Sequence, residues 1–421
     1  MKKLFFLTTL CILCMITGCE KDDSINDSLQ LDTENITSDY NVANTQSSLG
    51  EIIIKYKDGI NEAEKQVIRN QYQVTNYKNC TCADPTLELW IFDIDDNGTT
   101  SSGLDLETVV NGTRETLGVE ESQMNEIIKH RSAKLNSSFG PEDINNATNL
   151  LTSSNDGVTI AVLDTGIDYN YFGFDSPFLY NTQLNTNTCS ENGMTDYFGW
   201  DFVNSDYDPF DDHGHATEAI YMMFERLTSQ NINFQILPIK VFDENGDARY
   251  FDILCGFKYA TNNSDVKIIN MSFGWYNIDY GLLRQFITET QDDVLIITSA
   301  GNYKNDNDIT PHYPSSYETD NILSIASWNG NIYNPHLSKF SNYGIQSVDI
   351  AAPGEDIPFY LDQNEYILLS GTSYSAAYTS AVAGQLYVPD IAPSQHIQNI
   401  LSVCTVNNNL ERIKYHSYLH Y

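Results

Sequence analysis

From Val158 onward the chain alternates continuous apolar runs with segments of helical periodicity, and this alternation restricts the fold more than any other feature. An apolar run without a polar face must be covered by other parts of the chain on both sides. Strands of that kind, interleaved with helices, are typical of a mostly parallel sheet with helices on both faces. The sequence therefore predicts a doubly wound α/β domain. Its predicted strands are 158–163, 236–241, 267–273, 294–298 and 322–326, and its predicted helices are 215–227, 248–261, 282–290, 373–387 and 393–403.

Composition excludes several classes of protein. The 57 acidic and 22 basic residues among 421 give a formal charge of −35, and 41% of the residues are hydrophobic. A chain this apolar buries a core, which excludes a wholly disordered protein. A nucleic-acid partner requires a basic surface that displaces counterions, so none is expected here.

The N-terminus has the pattern of a secretory signal. Lys2 and Lys3 precede an apolar run at 4–16 that is too short to span a bilayer. The following Ile-Thr-Gly-Cys resembles a bacterial lipobox, which implies a signal peptide at 1–18 and lipid on Cys19. Ordinary secretory cleavage with an incidental cysteine is the alternative. We expect a protein of the bacterial cell envelope, anchored by lipid to the periplasmic or surface face of the outer membrane.

Two further segments precede the α/β domain. Residues 19–48 are polar and lack periodicity, so they are interpreted as a tether. Residues 49–129 predict a small α+β domain, with strands at 51–56, 87–92 and near 119–127, and helices at 61–72 and 105–117. Asn61 is the predicted N-cap of the first helix. This domain has no catalytic constellation of its own.

Five cysteines remain once the signal and the lipidated Cys19 are set aside. An envelope protein can form disulfides, but an odd number cannot pair completely. Cys80 and Cys82 are too close in sequence for a zinc knuckle and no matching pair follows, so no metal–thiolate site is expected. Cys255 and Cys404 fall in apolar helical patterns and are predicted to be buried free thiols.

Three residues at element ends have the chemistry of a catalytic triad. Asp164 closes the first apolar run, and His215 and Ser373 each open a predicted helix. A serine hydroxyl becomes a nucleophile when an imidazole takes its proton, and a buried carboxylate orients that imidazole. Asn302 can donate its side-chain amide to the oxyanion, together with the backbone N–H of Ser373.

Each of these residues alone has a simpler interpretation as a cap or a surface side chain. Their occurrence together, in this order, favours the triad. His213 is a competing candidate for the base, but Gly214 directly precedes His215, and His213 is expected to be a surface residue. An aspartic protease would need a second Asp-Thr-Gly motif, and the sequence contains only one, at Asp164.

These motifs resemble those of the subtilisin-like serine peptidases, the subtilases, in which the triad residues also occur in the order Asp, His, Ser. The resemblance extends over about 158–383, and its further landmarks are 199–203, 269–274, 313–315, 340–344 and 351–354. It implies a peptidase domain at 130–421 that cleaves polypeptides without a cofactor. It also implies that 49–129 is a ferredoxin-like propeptide, an intramolecular inhibitor removed by a cut between Ile127 and Pro141.

The resemblance also implies how substrate binds. The substrate is expected to lie as an extended strand beside the segment 272–274. The primary specificity pocket is expected to have its floor near His312. Either His312 favours acidic or hydrogen-bonding side chains, or the negative protein favours basic substrates by steering. The implied lining residues are Ser272, Phe273, Gly274, Ser299, Ala300 and Gly301.

Departures from the family pattern keep a second interpretation open. Ala216 stands where glycine is usual, and Glu218 stands where a second histidine is common. Glu218 is three residues from His215 on the same helix face, where it can raise the imidazole pKa or distort the site. The alternative is a catalytically silent module with the same fold that binds peptides at the cell surface.

One loop is a candidate calcium site. Asp201, Asn204, Asp206 and Asp208 supply alternating oxygen ligands of the kind that calcium prefers. The loop resembles a calcium-binding loop of some subtilases, but a solvated acidic loop is an equal alternative. Any calcium here is expected to be structural.

Overall fold

The computed structural model describes residues 45–80, 82–95, 98–130, 134, 144–184, 188–191 and 193–420. The signal peptide, Cys19 and most of the tether lie outside these residues. The helices are α1 Glu62–Gln71, α2 Leu106–Arg114, α3 Asn145–Thr148, α4 His215–Ser229, α5 Tyr250–Asn262, α6 Leu282–Glu289, α7 Thr372–Leu386 and α8 Pro393–Val403. The strands are β1 Thr45–Tyr56, β2 Asn76–Cys80, β3 Asp84–Ile91, β4 Val119–Lys129, β5 Val158–Asp164, β6 Ser190–Glu191, β7 Met194–Thr195, β8 Trp200–Asp201, β9 Phe234–Lys240, β10 Asp247–Arg249, β11 Val266–Met271, β12 Trp275–Tyr276, β13 Leu295–Ser299, β14 His312–Tyr313, β15 Ile322–Trp328, β16 Ile350–Pro353, β17 Ile357–Tyr360, β18 Tyr366–Leu369, β19 Thr405–Val406 and β20 Ser417–Tyr418.

The described residues 45–130, called here the N-terminal subdomain, form an antiparallel sheet in the order β4-β1-β3-β2. This is the ferredoxin-like β-α-β-β-α-β arrangement that the resemblance implied. Of its four strands, β2 is the one that sequence periodicity did not predict. Asn61 caps α1 as predicted, because its side chain accepts from the Glu64 N–H while the Glu64 carboxylate accepts from the Asn61 N–H.

The two faces of the N-terminal sheet are covered by different parts of the chain. Ile52 and Ile54 point to one side, where α1 and α2 pack on them. Ile53, between them, points to the other side and joins a core that includes α5. Since side chains alternate along a strand, β1 serves both cores at once.

The described residues 144–420, called here the catalytic subdomain, contain a nine-stranded sheet in the order β19-β20-β16-β15-β13-β11-β5-β9-β8. All its pairings are parallel except that of β19 with β20. α5 and α6 cover one face, and α4, α7 and α8 cover the other. The predicted doubly wound sheet is confirmed. The strands of this sheet that sequence periodicity missed are short, since β8, β19 and β20 have two residues each and β16 has four.

The two subdomains share a sheet and a core. β4 pairs with β10 of the catalytic subdomain, with Lys129 opposite Asp247 and Ile127 opposite Arg249. Leu87 and Leu89 of β3 pack in the same core as α5. No helix in the described part of the chain is long and apolar enough to cross a membrane.

Two disulfides also join the subdomains. Cys80 bonds to Cys255, and Cys82 bonds to Cys189. The prediction that Cys255 is a free thiol was therefore wrong, because the β2–β3 hairpin places Cys80 beside α5, which the helical pattern of α5 does not reveal. Among the described cysteines, Cys404 is free, as predicted.

Candidate active site

The carboxylate and imidazole of the predicted triad meet at the carboxyl edge of the large sheet. Asp164 is the last residue of β5, and His215 is the first residue of α4. The His215 Nδ1 lies 2.8 Å from Asp164 Oδ1 and 3.0 Å from Oδ2. Gly214 has a φ of 109°, which favours glycine and lets the helix begin directly at the histidine.

Burial and ion pairing shift the pKa values of these two groups in opposite directions. Burial favours the neutral imidazole, but the neighbouring Asp164 carboxylate outweighs it, and the pKa of His215 lies above its ordinary value. Burial likewise favours the neutral carboxyl, but the charge and hydrogen bond of His215 hold the pKa of Asp164 below its ordinary value. The pair is therefore suited to an ionised carboxylate that stabilises an imidazolium.

Ser373 lies in the first turn of α7, and the ring of the next residue, Tyr374, lies 5.9 Å from the His215 ring, between centroids. The Ser373 hydroxyl donates to the backbone carbonyl of Ser272, 2.9 Å away, and the side chain is buried. A first-turn residue leaves its N–H without an intrahelical acceptor, so the Ser373 N–H is available to an anion. In this arrangement the hydroxyl is directed to Ser272.

The amide of Asn302 has a defined orientation. Its Oδ1 accepts from both the N–H and the hydroxyl of Thr372, each 2.8 Å away. Both groups are donors here, so the oxygen must face Thr372 and the Nδ2 is directed elsewhere. Thr372 directly precedes Ser373, so this contact holds the Asn302 amide beside the start of α7.

The predicted substrate-binding residues come together at two neighbouring strand ends. β11 and β13 are adjacent and parallel, so the segments that follow them meet at one edge of the sheet. A Cβ added at Gly274 would lie 2.3 Å from His312 Cε1, so the glycine permits close approach of that ring. The first segment holds Ser272, Phe273 and Gly274, and the second holds Ser299, Ala300 and Gly301.

The His312 ring is neutral and its tautomer follows from its contacts. The Ser315 hydroxyl donates to the His312 carbonyl, so the contact of His312 Nδ1 with Ser315 Oγ at 2.8 Å requires a proton on Nδ1. Burial lowers the pKa of His312 to about 3. A neutral ring with Nδ1–H presents Nε2 as an acceptor beside Gly274, so an attraction of His312 to acidic side chains is not supported.

His130 is a site residue that sequence reasoning missed. It follows β4 of the N-terminal subdomain, and its N–H donates to the Gly246 carbonyl. Its ring lies 3.9 Å from the His215 ring, between centroids, and its Nε2 lies 3.0 Å from the Ser272 carbonyl. A carbonyl only accepts, so Nε2 carries the proton. The end of β4 therefore brings His130 against the catalytic pair, in the substrate-binding cleft. No local motif around His130 predicts this contact.

Glu218 bridges the helices that carry the base and the candidate nucleophile. It is 2% exposed, and the Tyr374 hydroxyl donates to its Oε2 at 2.5 Å. Burial raises the pKa of the Glu218 carboxyl to about 8, although His215 and Tyr374 oppose this shift. The sequence identified Glu218 as a departure, but its partner on α7 became visible only in the structure.

His213 is not the surface residue that was predicted. It is 1% exposed, because His130 and the Gly246 backbone cover it. Asp211 accepts from the backbone N–H groups of His213 and Gly214 and holds this turn in place. His215 is the histidine that contacts Asp164, as predicted.

The residues of the candidate calcium loop are only partly satisfied by their hydrogen bonds, because Asp208 Oδ1 is buried without a hydrogen-bond partner. The Asp201 carboxylate accepts from the backbone and side chain of Asn204, and Asp206 accepts from the Asp208 N–H. Asp208 also accepts from Tyr169. In the described part of the chain, the one group of three or more acidic, histidine or cysteine side chains close enough to hold a metal consists of His130, Asp164 and His215. Asp208 Oδ1 is available to a cation, and calcium binding at this loop stays a prediction.

Sequence comparison finds relatives for the catalytic subdomain. A family model described as the Subtilase family matches residues 155–409. A thermophilic serine proteinase of Bacillus sp. (strain AK1) is 28% identical over 242 residues, 56% of this chain and 53% of that protein. Thermitase of Thermoactinomyces vulgaris is 28% identical over 254 residues, 59% of this chain and 81% of that protein. A cell wall-associated protease of Bacillus subtilis (strain 168) is 30% identical over 234 residues, 54% of this chain and 23% of that protein.

These matches span about half of the first relative and less than a quarter of the third. Among solved structures, a serine-to-alanine mutant of the epidermin leader peptide processing serine protease from Staphylococcus aureus matches with a TM-score of 0.59. The match has 17% sequence identity and covers 88% of this chain and 97% of that one. This likeness concerns the fold.

Proposed function

Because the chain belongs to the Subtilase family, whose model matches more than half of its residues, we propose that it is a serine endopeptidase. The observation that carries this proposal is the buried contact of Asp164 with His215 at 2.8 Å, together with Ser373 in the first turn of α7. Asp164 orients the imidazole, His215 takes the proton of Ser373 and later gives it to the leaving amine, and Ser373 attacks the peptide carbonyl.

The oxyanion of the tetrahedral intermediate needs two preorganised donors. The Asn302 Nδ2 is suited to one of these positions, because Thr372 holds the amide oxygen on its other side. The Ser373 N–H is suited to the other, at the positive end of the α7 dipole. This chemistry requires no cofactor.

The described arrangement supports a latent precursor that processes itself. His130 packs on His215, and the Ser373 hydroxyl bonds to Ser272. For catalysis the Ser373 hydroxyl has to turn to His215, and the chain in the cleft has to be cut or displaced. We expect the cut between Ile127 and Pro141, at the end of the N-terminal subdomain or in the linker at 131–143 that joins it to the catalytic subdomain.

Cleavage chemistry is tested with the secreted chain and its Ser373→Ala variant. The backbone of the unaltered protein is expected to be cut between the subdomains, which intact mass shows as two fragments after a dithiol has reduced the disulfides. The reduced protein is expected to take up a serine-directed fluorophosphonate at Ser373, again by intact mass. Ser402→Ala, at an exposed serine of α8, is the matched control and should behave as the unaltered protein. If the unaltered protein stays uncut and unlabelled, even after the linker is cut by another protease and both disulfides are reduced, the silent peptide-binding module becomes the better interpretation.

We also propose that the mature protein is anchored by lipid on Cys19 in the bacterial cell envelope. The support is the lipobox-like sequence and the polar tether that follows it. A Cys19→Ser variant is expected to lose the lipid mass from its N-terminal peptide and to leave the membrane fraction. Unchanged membrane association of this variant would refute the anchor.

A further inference from the structure

We propose that the N-terminal subdomain stays covalently bound to the catalytic subdomain after the linker is cut, so that cutting alone yields a latent, two-chain, disulfide-linked protein. This inference rests on the proposed function in one respect, since self-processing supplies the cut. The covalent connection itself does not depend on activity. It changes the role of the N-terminal subdomain from a propeptide that is shed to a partner that is retained.

Both disulfides cross between the subdomains. Cys80 and Cys82 come from one hairpin region of the N-terminal subdomain, Cys255 lies on α5, and Cys189 directly precedes β6. The Cα atoms of the two pairs are 5.6 and 5.2 Å apart, within the usual range for a disulfide.

The linker lies inside both covalent loops. The bridges span 175 and 107 residues of sequence, and each loop contains positions 131–143. A backbone cut in this linker opens both loops without breaking either bridge. The two resulting chains therefore remain one covalent molecule.

The Cys80–Cys255 bridge lies at the centre of the interface between the subdomains. Cys80 is 1% exposed and Cys255 is fully buried, in a core to which both subdomains contribute. Polar contacts surround it, including Lys78 to Asp252 at 2.9 Å. Cys82 is half-buried, so the Cys82–Cys189 bridge is the more accessible one. The envelope compartment that the signal predicts would preserve both.

Retention has a direct consequence for the cleft. β4 pairs with β10 and brings His130 against His215, so this end of the N-terminal subdomain covers the catalytic pair. A tethered segment acts at an effective concentration in the millimolar range, so it rebinds after a cut far more readily than a free fragment. We therefore expect the cut, oxidised protein to be inactive on other polypeptides.

Release of the N-terminal subdomain from the catalytic subdomain requires reduction of both disulfides. Each bridge accepts two electrons and two protons from a dithiol, which becomes a cyclic or intermolecular disulfide while two cysteine thiols form. The N-terminal subdomain is then held by non-covalent contacts alone and dissociates on dilution. Activity thus depends on two events, a backbone cut and exchange with a dithiol.

The test uses the secreted chain with Cys19→Ser, produced in an oxidising compartment. After self-processing, the intact mass without reductant should equal that of the whole chain plus one water, and a dithiol should resolve two fragments. Hydrolysis of a peptide substrate by the diluted protein should rise at least about tenfold in kcat/KM on dithiol treatment, following the loss of the tethered concentration. Fragments that separate without reductant overturn the retention, and equal activity before and after the dithiol overturns the latency.

Variants identify the bridges. Cys80→Ser combined with Cys82→Ser should give fragments that separate without reductant and activity that a dithiol does not increase. Cys404→Ser, which removes the free thiol, is the matched control and should behave as the unaltered protein. Separation of the fragments in both variants overturns the assignment of the bridges.

A final arm separates this proposal from the proposed function. In Ser373→Ala with a foreign protease sequence inserted after Lys134, an added protease makes the cut. Fragments that remain linked until a dithiol is added support retention even if the unaltered chain never cuts itself. Fragments that separate at once overturn retention, whatever the activity. This arm retains all the described cysteines, so misfolding of a cysteine variant cannot account for the result.

Discussion

Replacing Glu218 with glutamine is expected to remove a pH dependence from the stability of the folded protein. Glu218 is 2% exposed, and burial is the main reason that its pKa rises from 4.5 to about 8. The groups that face it are His215 on its own helix, Tyr374 on α7, and the carboxylates of Asp164 and Asp211. Glutamine retains the shape and an acceptor for the Tyr374 hydroxyl but does not ionise.

The direction and the size of the change in unfolding free energy with pH follow from proton linkage. The folded-state pKa lies above the unfolded value, so the stabilising contribution of the protonated carboxyl is complete below about pH 4.5 and is lost as the pH rises to about 8. One pKa unit corresponds to about 1.4 kcal/mol, so the full change in unfolding free energy is on the order of 5 kcal/mol as an upper bound. Relative to the glutamine variant, the parent protein should therefore lose stability over this interval.

The assay is denaturant unfolding in a Ser373→Ala background, which prevents self-digestion. The unfolding free energy is measured at several pH values from about 5 to about 8 for the parent, Glu218→Gln and Glu225→Gln. Glu225 lies on the exposed side of the same helix, so its substitution should leave the pH dependence unchanged. A stability difference between parent and Glu218→Gln that does not vary with pH would refute the reasoning.

Four further predictions concern the triad, the primary pocket and the candidate calcium loop. Asp164 raises the pKa of His215, so the acidic limb of the kcat/KM profile should lie above the ordinary histidine value. Asp164→Asn should lower kcat for peptide hydrolysis by about 10⁴-fold, measured in a fixed-time assay. A decrease in kcat of less than tenfold would contradict the role of Asp164. The neutral His312 ring presents an acceptor, so among matched peptides varied before the cut bond, those with glutamine or lysine should be cleaved faster than those with glutamate. Equal rates would contradict this specificity. Because Asp208 Oδ1 is buried without a hydrogen-bond partner, calcium bound at 201–208 would pair it, so a calcium chelator should lower the Tm, and an unchanged Tm would contradict the calcium site.

The sequence alone determined the class of the large sheet and the identity of the catalytic candidates. Strands buried on both sides must be apolar throughout, so β5, β9 and β13 could be predicted from local composition. The order Asp, His, Ser and the resemblance of the motifs to those of the subtilases paired Asp164 with His215 before any distance was known.

Only the tertiary structure decided what surrounds these residues. His130 reaches His215 because β4 pairs with β10, and Cys80 reaches Cys255 across 175 residues of chain. Glu218 contacts Tyr374 because α4 and α7, two helices distant in sequence, pack side by side. Periodicity and motifs report a residue's own element and nearest neighbours, whereas these contacts depend on how separate elements dock. Burial, pKa and disulfide pairing are set by that docking.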